Sequence, residues 1–495
     1  MTRSTTPTPT VLWAAVALIA LLAILPGCFF DVPEAPEAVA AEDCARFVGP
    51  FDDPNSLKLG AIFALSGPSP ELGLRSLNAL RLATDQINNF GGVGGLQNAR
   101  PLAFQVCDDK GDPDQAVLVA SYLADTLFPP AIVGPAQSRS VLPVADSVTI
   151  PSGIVQISGS ATAVDISALD DDDLVWRTAP PDTDQPNALA YFAYWQLLRA
   201  SATSGNNNTR VGLVNSNDAY GQGFASTFRT SLEATASVSS LVTIEFVSIS
   251  YDASDAEAVQ AAGEELVQES PLDAVLLVGF EETADILAFS TTEAGAVLRE
   301  TAFFMPDGAR SSRLRTLFSS ESEKPALLFG VNPAFRSGDT FDQFATAYTE
   351  AFATTPDSWT EHVYDAVYLL AIACAGIEGE PLGFEIAEQL QRMNEPTGRA
   401  VRFVPGDLVA AFNEMSVGGS LDVEGASGPL DFDNDVGEPL TAGILRWDVI
   451  PGEQTIQECG VSSIYYADGR APERLWCNAL CLGDDPSGCV PDNAP

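Results

Sequence analysis

Leu57-Lys58-Leu59-Gly60-Ala61-Ile62-Phe63 begins the stretch that decides the fold, which runs on to Thr162. The heptapeptide is apolar almost throughout, the pattern of a strand buried on both faces. It breaks into the turn Ser66-Gly67-Pro68. A helix follows, with Leu77, Leu80 and Ile87 at helical spacing, and Gly91 to Gly95 closes it. A second strand ends in Cys107-Asp108-Asp109-Lys110-Gly111-Asp112-Pro113. A third, Ala131-Ile132-Val133, runs into Gly134-Pro135-Ala136-Gln137-Ser138. A fourth, Gly153 to Ile157, runs into Ser158-Gly159-Ser160-Ala161-Thr162. Alternating strands and helices predict an open, mostly parallel sheet, whose ligands bind beyond the carboxyl ends of the strands. Ser138, Ser160 and Thr162 stand at those ends.

Outward from this stretch the alternation continues. Strands are predicted at Val211 to Asn215, Val242 to Ser248, Ala274 to Gly279, Ala302 to Met305 and Leu327 to Val331. Helices at Asp342 to Phe352 and Tyr364 to Ile377 and a strand at Gly443 to Ile450 complete the series. Two α/β lobes are the economical arrangement, since single cores stop growing at about 250–300 residues.

The order of the pieces resembles the type 1 periplasmic binding proteins, and among them the branched-chain amino acid (Leu/Ile/Val) binding family of ABC transporters. The matching pieces are Leu65-Ser66-Gly67-Pro68, Asn88 to Val93, Asp108 to Pro113, Val133-Gly134-Pro135, Ile157 to Thr162, Asn217 to Gly223 and Tyr364-Asp365-Ala366. The resemblance implies two doubly wound, mostly parallel-sheet lobes joined by a three-strand hinge. Crossovers are expected near Arg177, Asn332 and Pro429. Lobe 1 is then 57–178 with 333–427, and lobe 2 is 179–332 with 428–457.

A free amino acid presents a carboxylate and an ammonium. Its cleft needs hydroxyl and backbone N–H donors at one end and an acid at the other. The resemblance puts Ser138, Ser160, Ala161 and Thr162 at the carboxylate and Asp307 at the ammonium. Tyr220 and Phe280 become the wall of the second lobe. Leu72 stands where the family often has an aromatic, and Gln137 adds a polar group beside the side-chain pocket. Read singly, Ser and Thr ahead of a helix are helix caps and Asp307-Gly308 is a turn. His362, the one histidine, opens a helix near the expected cleft and reads as a packed side chain.

The amino end reads as a targeting segment. Arg3 is its basic residue, and Val11 to Leu25 is an apolar run of about 22 Å as a helix. That is short of the ~30 Å bilayer core and fits a signal h-region. Leu25-Pro26-Gly27-Cys28 resembles a bacterial lipoprotein cleavage site. This makes 1–27 a signal, Cys28 the lipid-bearing residue, and 28–56 an acidic, Pro/Ala-rich tether. The expected location is the periplasmic face or surface of a bacterial membrane.

The net charge is −43, with 24 basic residues against 67 acidic ones. Phosphate binding needs a basic face, so nucleic acid is excluded as a partner. Eight cysteines suit an oxidising compartment. With Cys28 lipidated and Cys374 a buried thiol, Cys44, Cys107, Cys459, Cys477, Cys481 and Cys489 form an even set. The last four lie in the tail 458–495. Disulfides are expected there, with a zinc site as the rival reading of the cluster.

An enzyme is not expected. The chain has no His-Glu-x-x-His, no Gly-x-Ser-x-Gly and no phosphate-binding Gly-x-x-x-x-Gly-Lys-Ser/Thr sequence. Neither a cofactor nor a metal is implied; Asp170 to Asp173 and Asp431-x-Asp433-x-Asp435 read as turns. The resemblance implies a monomeric solute-binding lipoprotein that hands an amino acid or amide-like ligand to an ABC permease. The rivals are a ligand-sensing or envelope-scaffold lipoprotein of the same fold and, behind them, a hydrolase.

Overall fold

The computed structural model describes residues 42–94, 99–239, 241–333, 338–453, 455–466, 473–477 and 489–491. The signal and residues 28–41 of the tether, Cys28 among them, lie outside these, as does Cys481.

The first sheet has the order β1-β3-β2-β4-β5-β6. Its strands are β1 (Arg46–Val48), β2 (Leu57–Phe63), β3 (Leu102–Asp108), β4 (Ala131–Val133), β5 (Val155–Ser158) and β6 (Val175–Arg177). All neighbours are parallel except β1, which runs antiparallel to β3. Helices α1 (Pro70–Asn89), α2 (Pro113–Thr126) and α3 (Ser138–Val144) follow β2, β3 and β4. The apolar run of β2 is buried on both sides. Leu59, Ala61 and Phe63 share a cluster with Leu77 and Leu80 of α1, and Ile62 packs with Ala116 and Leu123 of α2. A disulfide joins Cys44 to Cys107 of β3.

The chain leaves β6 through Thr178–Thr183 into α4 (Asp184–Ser204) and builds the second lobe. There β7 (Asn208–Ser216), α5 (Ala219–Ser239), β8 (Thr243–Tyr251), α6 (Ala256–Glu269), β9 (Ala274–Val278), β10 (Ala302–Met305) and β11 (Leu327–Pro333) alternate. The parallel strands order as β11-β10-β9-β7-β8. Again alternate residues serve opposite faces: Leu276 and Val278 face one cluster, Val275 and Leu277 the other. The chain then returns through α7 (Asp339–Phe352) and α8 (Thr360–Ala375), which packs on α1 of the first lobe.

It crosses back near Gly428 and Pro429 to β12 (Thr441–Ile450), antiparallel to β11. β13 (Thr455–Tyr466) pairs with β12, so the second sheet extends into the segment expected as a separate tail, and the 457/458 boundary falls inside this strand. The side chains from residue 459 onward, and with them the disulfide or zinc reading of the tail, lie outside the described residues.

Arg177 ties two crossovers together. It is 1% exposed, its Nη1 donates to Ala163 O at 2.8 Å, and it pairs with Glu438. A planar guanidinium with several fixed donors suits such a buried junction. Cys374 is a buried free thiol within α8, and burial raises its pKa to about 12. Asp171 and Asp433 each accept backbone N–H groups within their own turns.

Candidate functional site

Strand order reverses once in each sheet. In the first it reverses between β2 and β4, in the second between β7 and β9. Loops leaving the two strands on either side of such a point diverge and leave a crevice. The crevice of lobe 1 is flanked by Leu72 on α1 and by Gln137 and Ser138 after β4. That of lobe 2 is flanked by Tyr220 after β7 and Phe280 after β9. Ser160 to Thr162 follow β5, and Asp307 follows β10. The nine candidate residues are all buried.

On the first lobe, Ser138 Oγ accepts from the N–H groups of Thr162 and Ala163 at 3.2 and 3.1 Å. Ser160 donates its hydroxyl to Ala136 O at 2.7 Å, and the N–H of Ala161 donates to Ser158 Oγ at 3.2 Å. These bonds lock the loops after β4 and β5 together. Thr162 turns outward and donates its hydroxyl to Asp182 Oδ2 at 2.6 Å.

Asp182 leads to the second lobe. Gln185, in the first turn of α4, donates from Nε2 to Asp182 Oδ1 at 3.1 Å and to Asp307 Oδ1 at 2.9 Å. Asp307, 2% exposed, also accepts from the Tyr220 hydroxyl at 3.0 Å and from Trp359 Nε1 at 3.1 Å. Phe280 lies beside Tyr220, with ring centroids 5.3 Å apart. Gly308 has room for no side chain: a Cβ there would meet Gly279 O at 2.6 Å. Candidate residues of both lobes are thus joined in one hydrogen-bonded chain. Leu72 stands apart from it in the apolar cluster, one residue from Glu71, whose N–H donates to Glu281 Oε1 of lobe 2 at 2.9 Å.

Burial raises the pKa of Asp182 well above the usual carboxylate range, and the neighbouring charge of Asp307 adds to the shift. Burial raises Asp307 too, against the hydrogen bonds from Gln185 and Tyr220. Both acids are pushed toward the protonated form. A cation placed beside them reverses that push.

Asp182, Gln185 and Trp359 escaped the sequence reading. Trp359 precedes α8 with φ 74°, an uncommon conformation for a bulky residue. This backbone aims its indole at Asp307, while His362 packs edge-on against the same ring at 4.9 Å. A crossover was legible near Arg177, but nothing local marks Asp182 as a partner of Asp307.

A family model for periplasmic binding proteins matches residues 56–433, most of the chain. The chain belongs to the periplasmic binding protein family. The family is one of binding proteins, not of enzymes. One relative in it is the Leu/Ile/Val-binding protein BraC3 of Rhizobium johnstonii, 29% identical over 178 residues. That match covers 36% of this chain and 44% of the relative's length. The leucine-, isoleucine-, valine-, threonine- and alanine-binding protein of Pseudomonas aeruginosa is 24% identical over 72% of this chain and 87% of its own. Among solved structures, the branched-chain amino acid transporter substrate-binding protein LivJ of Streptococcus pneumoniae, in complex with isoleucine, superposes with a TM-score of 0.61 at 19% identity. It covers 82% of this chain and 99% of its own. A solute-binding protein of an ABC transporter from R. palustris, in complex with benzoate, gives 0.57 at 18% identity over 82% and 96%. The periplasmic binding fold expected from Leu57 to Thr162 is therefore the fold of this chain.

Proposed function

We propose that this periplasmic binding protein is exported, anchored through lipid on Cys28, and delivers an amino acid or amide-like ligand to an ABC permease as a monomer. The reading rests most on the chain Thr162–Asp182–Gln185–Asp307, which joins the lobes where the two crevices meet. A small ligand entering there exchanges hydrogen bonds between side chains for hydrogen bonds to itself. Its carboxylate takes the hydroxyls of Ser138 and Thr162, with Ser160 and Ala161 shaping that end. Its ammonium takes Asp307, with Tyr220 and Phe280 closing from lobe 2. Leu72 and Gln137 border its side chain. The Leu/Ile/Val specificities of the named relatives support an amino acid over other solutes.

A thermal-shift screen of the intact protein against amino acids, amides and benzoates tests the ligand. A melting temperature raised by amino acids or amides alone is the expected result; stabilisation by benzoates alone contradicts it. The anchor has its own test. Cys28→Ser should move the protein from the membrane to the soluble fraction, and wild-type protein without lipid by mass spectrometry excludes it.

A further inference from the structure

Beside Ser138, Gln137 carries a buried donor with no partner among the described residues. Gln137 is 2% exposed, and its Oε1 accepts from Arg139 Nε at 3.0 Å. A guanidinium only donates, so this bond sets the amide's orientation: oxygen toward Arg139, Nε2 away from it. That Nε2 is buried and makes no hydrogen bond. Buried amide N–H groups in native proteins find acceptors, and one without a partner calls for an explanation.

The pair packs against the loop after β3. A Cβ built on Gly111 of lobe 1 would be 3.3 Å from Arg139 Nη2 and 3.4 Å from Gln137 Oε1. The charge of Arg139 acts on Asp109 of lobe 1 and also on Asp252 and Glu282 of lobe 2. Glu282 in turn accepts from Tyr251 and from the N–H of Phe280. Arg139 thus lies within the field of acids on both lobes while its Nε holds the oxygen of Gln137. Gln137 adjoins Ser138, the seat proposed for the ligand's carboxylate, and the loop after β4 flanks the crevice.

We infer that Gln137 selects the ligand's side chain: its free N–H takes an acceptor oxygen, so the preferred ligand is an amino acid bearing a side-chain carbonyl or carboxylate. A branched aliphatic side chain leaves that donor stranded. Leu72 and Phe280 pack against the side chain's methylenes, and Gln137 reads its end. This inference rests on the amino-acid reading of the cleft and narrows it. Sites built to hydrogen-bond a group discriminate strongly against analogues lacking it.

Calorimetric titration of the intact protein with leucine, isoleucine, asparagine, glutamine, aspartate and glutamate tests it. The best of the four oxygen-bearing probes should bind about tenfold or more tighter than leucine. Gln137→Leu should weaken that probe about tenfold relative to leucine. Gln137→Glu keeps the side chain's size but replaces the amide donor with a charged acceptor, and should weaken the carboxylate-bearing probes about tenfold or more relative to asparagine and glutamine; it serves where Gln137→Leu does not fold. Leucine or isoleucine binding the wild type as tightly as the best oxygen-bearing probe overturns the inference and leaves the amino-acid reading standing. So does an equal loss for all six probes in Gln137→Leu. If none of the six binds the wild type, the amino-acid reading itself falls and takes this inference with it.

Discussion

Trp359 Nε1 donates to Asp307 Oδ2 at 3.1 Å, from a segment that has returned to the first lobe onto an acid of the second. The bond spans 52 residues of sequence and closes the carboxylate's hydrogen-bond shell on the side away from Gln185. Trp359→Phe keeps the ring but removes the donor. A buried carboxyl that loses a partner costs about 1–3 kcal/mol. Chemical denaturation should show that loss, and ligand affinity should fall with it. Unchanged stability and affinity would mean that the bond is absent in solution.

Much of the fold was legible in the sequence, for a physical reason. Strands such as β2 and β9 are apolar on both faces because helices cover both, and a short apolar run between turns marks such a strand. Ser138, Ser160 and Tyr220 could be placed just beyond strand ends because the strands before them are short apolar runs broken by turn residues. What remained hidden depends on distant partners. Gln185 looks like any polar residue in a first helical turn until Asp307, 122 positions on, is folded against it. Element ends were also blurred. β7 begins at Asn208, three residues before the predicted Val211, and α8 begins at Thr360 instead of Tyr364. At such ends hydrogen bonding to neighbours, not hydrophobic pattern, sets the boundary.

Asp357 gathers arginines at the rim of the cleft. Arg310 Nε of lobe 2 lies 2.9 Å from it and Arg75 of lobe 1 lies 3.6 Å away, with Arg315 of lobe 2 also paired to it. Nearby, the N–H of Ser312 donates to Glu71 at 2.9 Å, again across the lobes. Asp357→Ala leaves arginines of both lobes facing each other, so the ligand-free protein should open and its radius of gyration should rise. Salt should act in the same direction on the wild type, because the Debye length falls from about 10 Å at 0.1 M to about 3 Å at 1 M. Partly exposed pairs contribute little each, so the shift should be small but measurable by small-angle scattering. A scattering curve unchanged by both the substitution and salt would rule out a latch at Asp357.

The raised pKa values of Asp182 and Asp307 fix the sign of a pH effect. Burial is the main cause for both. A ligand ammonium beside them favours the ionised form and lowers those values, so binding should release protons between the ordinary carboxylate range and the raised one. By linkage, affinity for an ammonium-bearing ligand should rise with pH across that window. Titration in buffers of different ionisation enthalpy reads the proton count directly. Proton uptake, or no exchange at any pH in that window, would contradict an ammonium at Asp307.

In the proposed function, ligand binds between the lobes, held by Thr162 on one side and Asp307 on the other. The most direct measurement is calorimetric titration of Thr162→Val and Asp307→Ala with a ligand the wild type binds, each variant first checked for an intact fold by circular dichroism. A buried charge-assisted hydrogen bond contributes about 1.5–3 kcal/mol, so each substitution should weaken binding about tenfold or more. Asp307→Ala should spare ligands without an ammonium, while Thr162→Val weakens every carboxylate. Undiminished binding to both folded variants would place the ligand elsewhere.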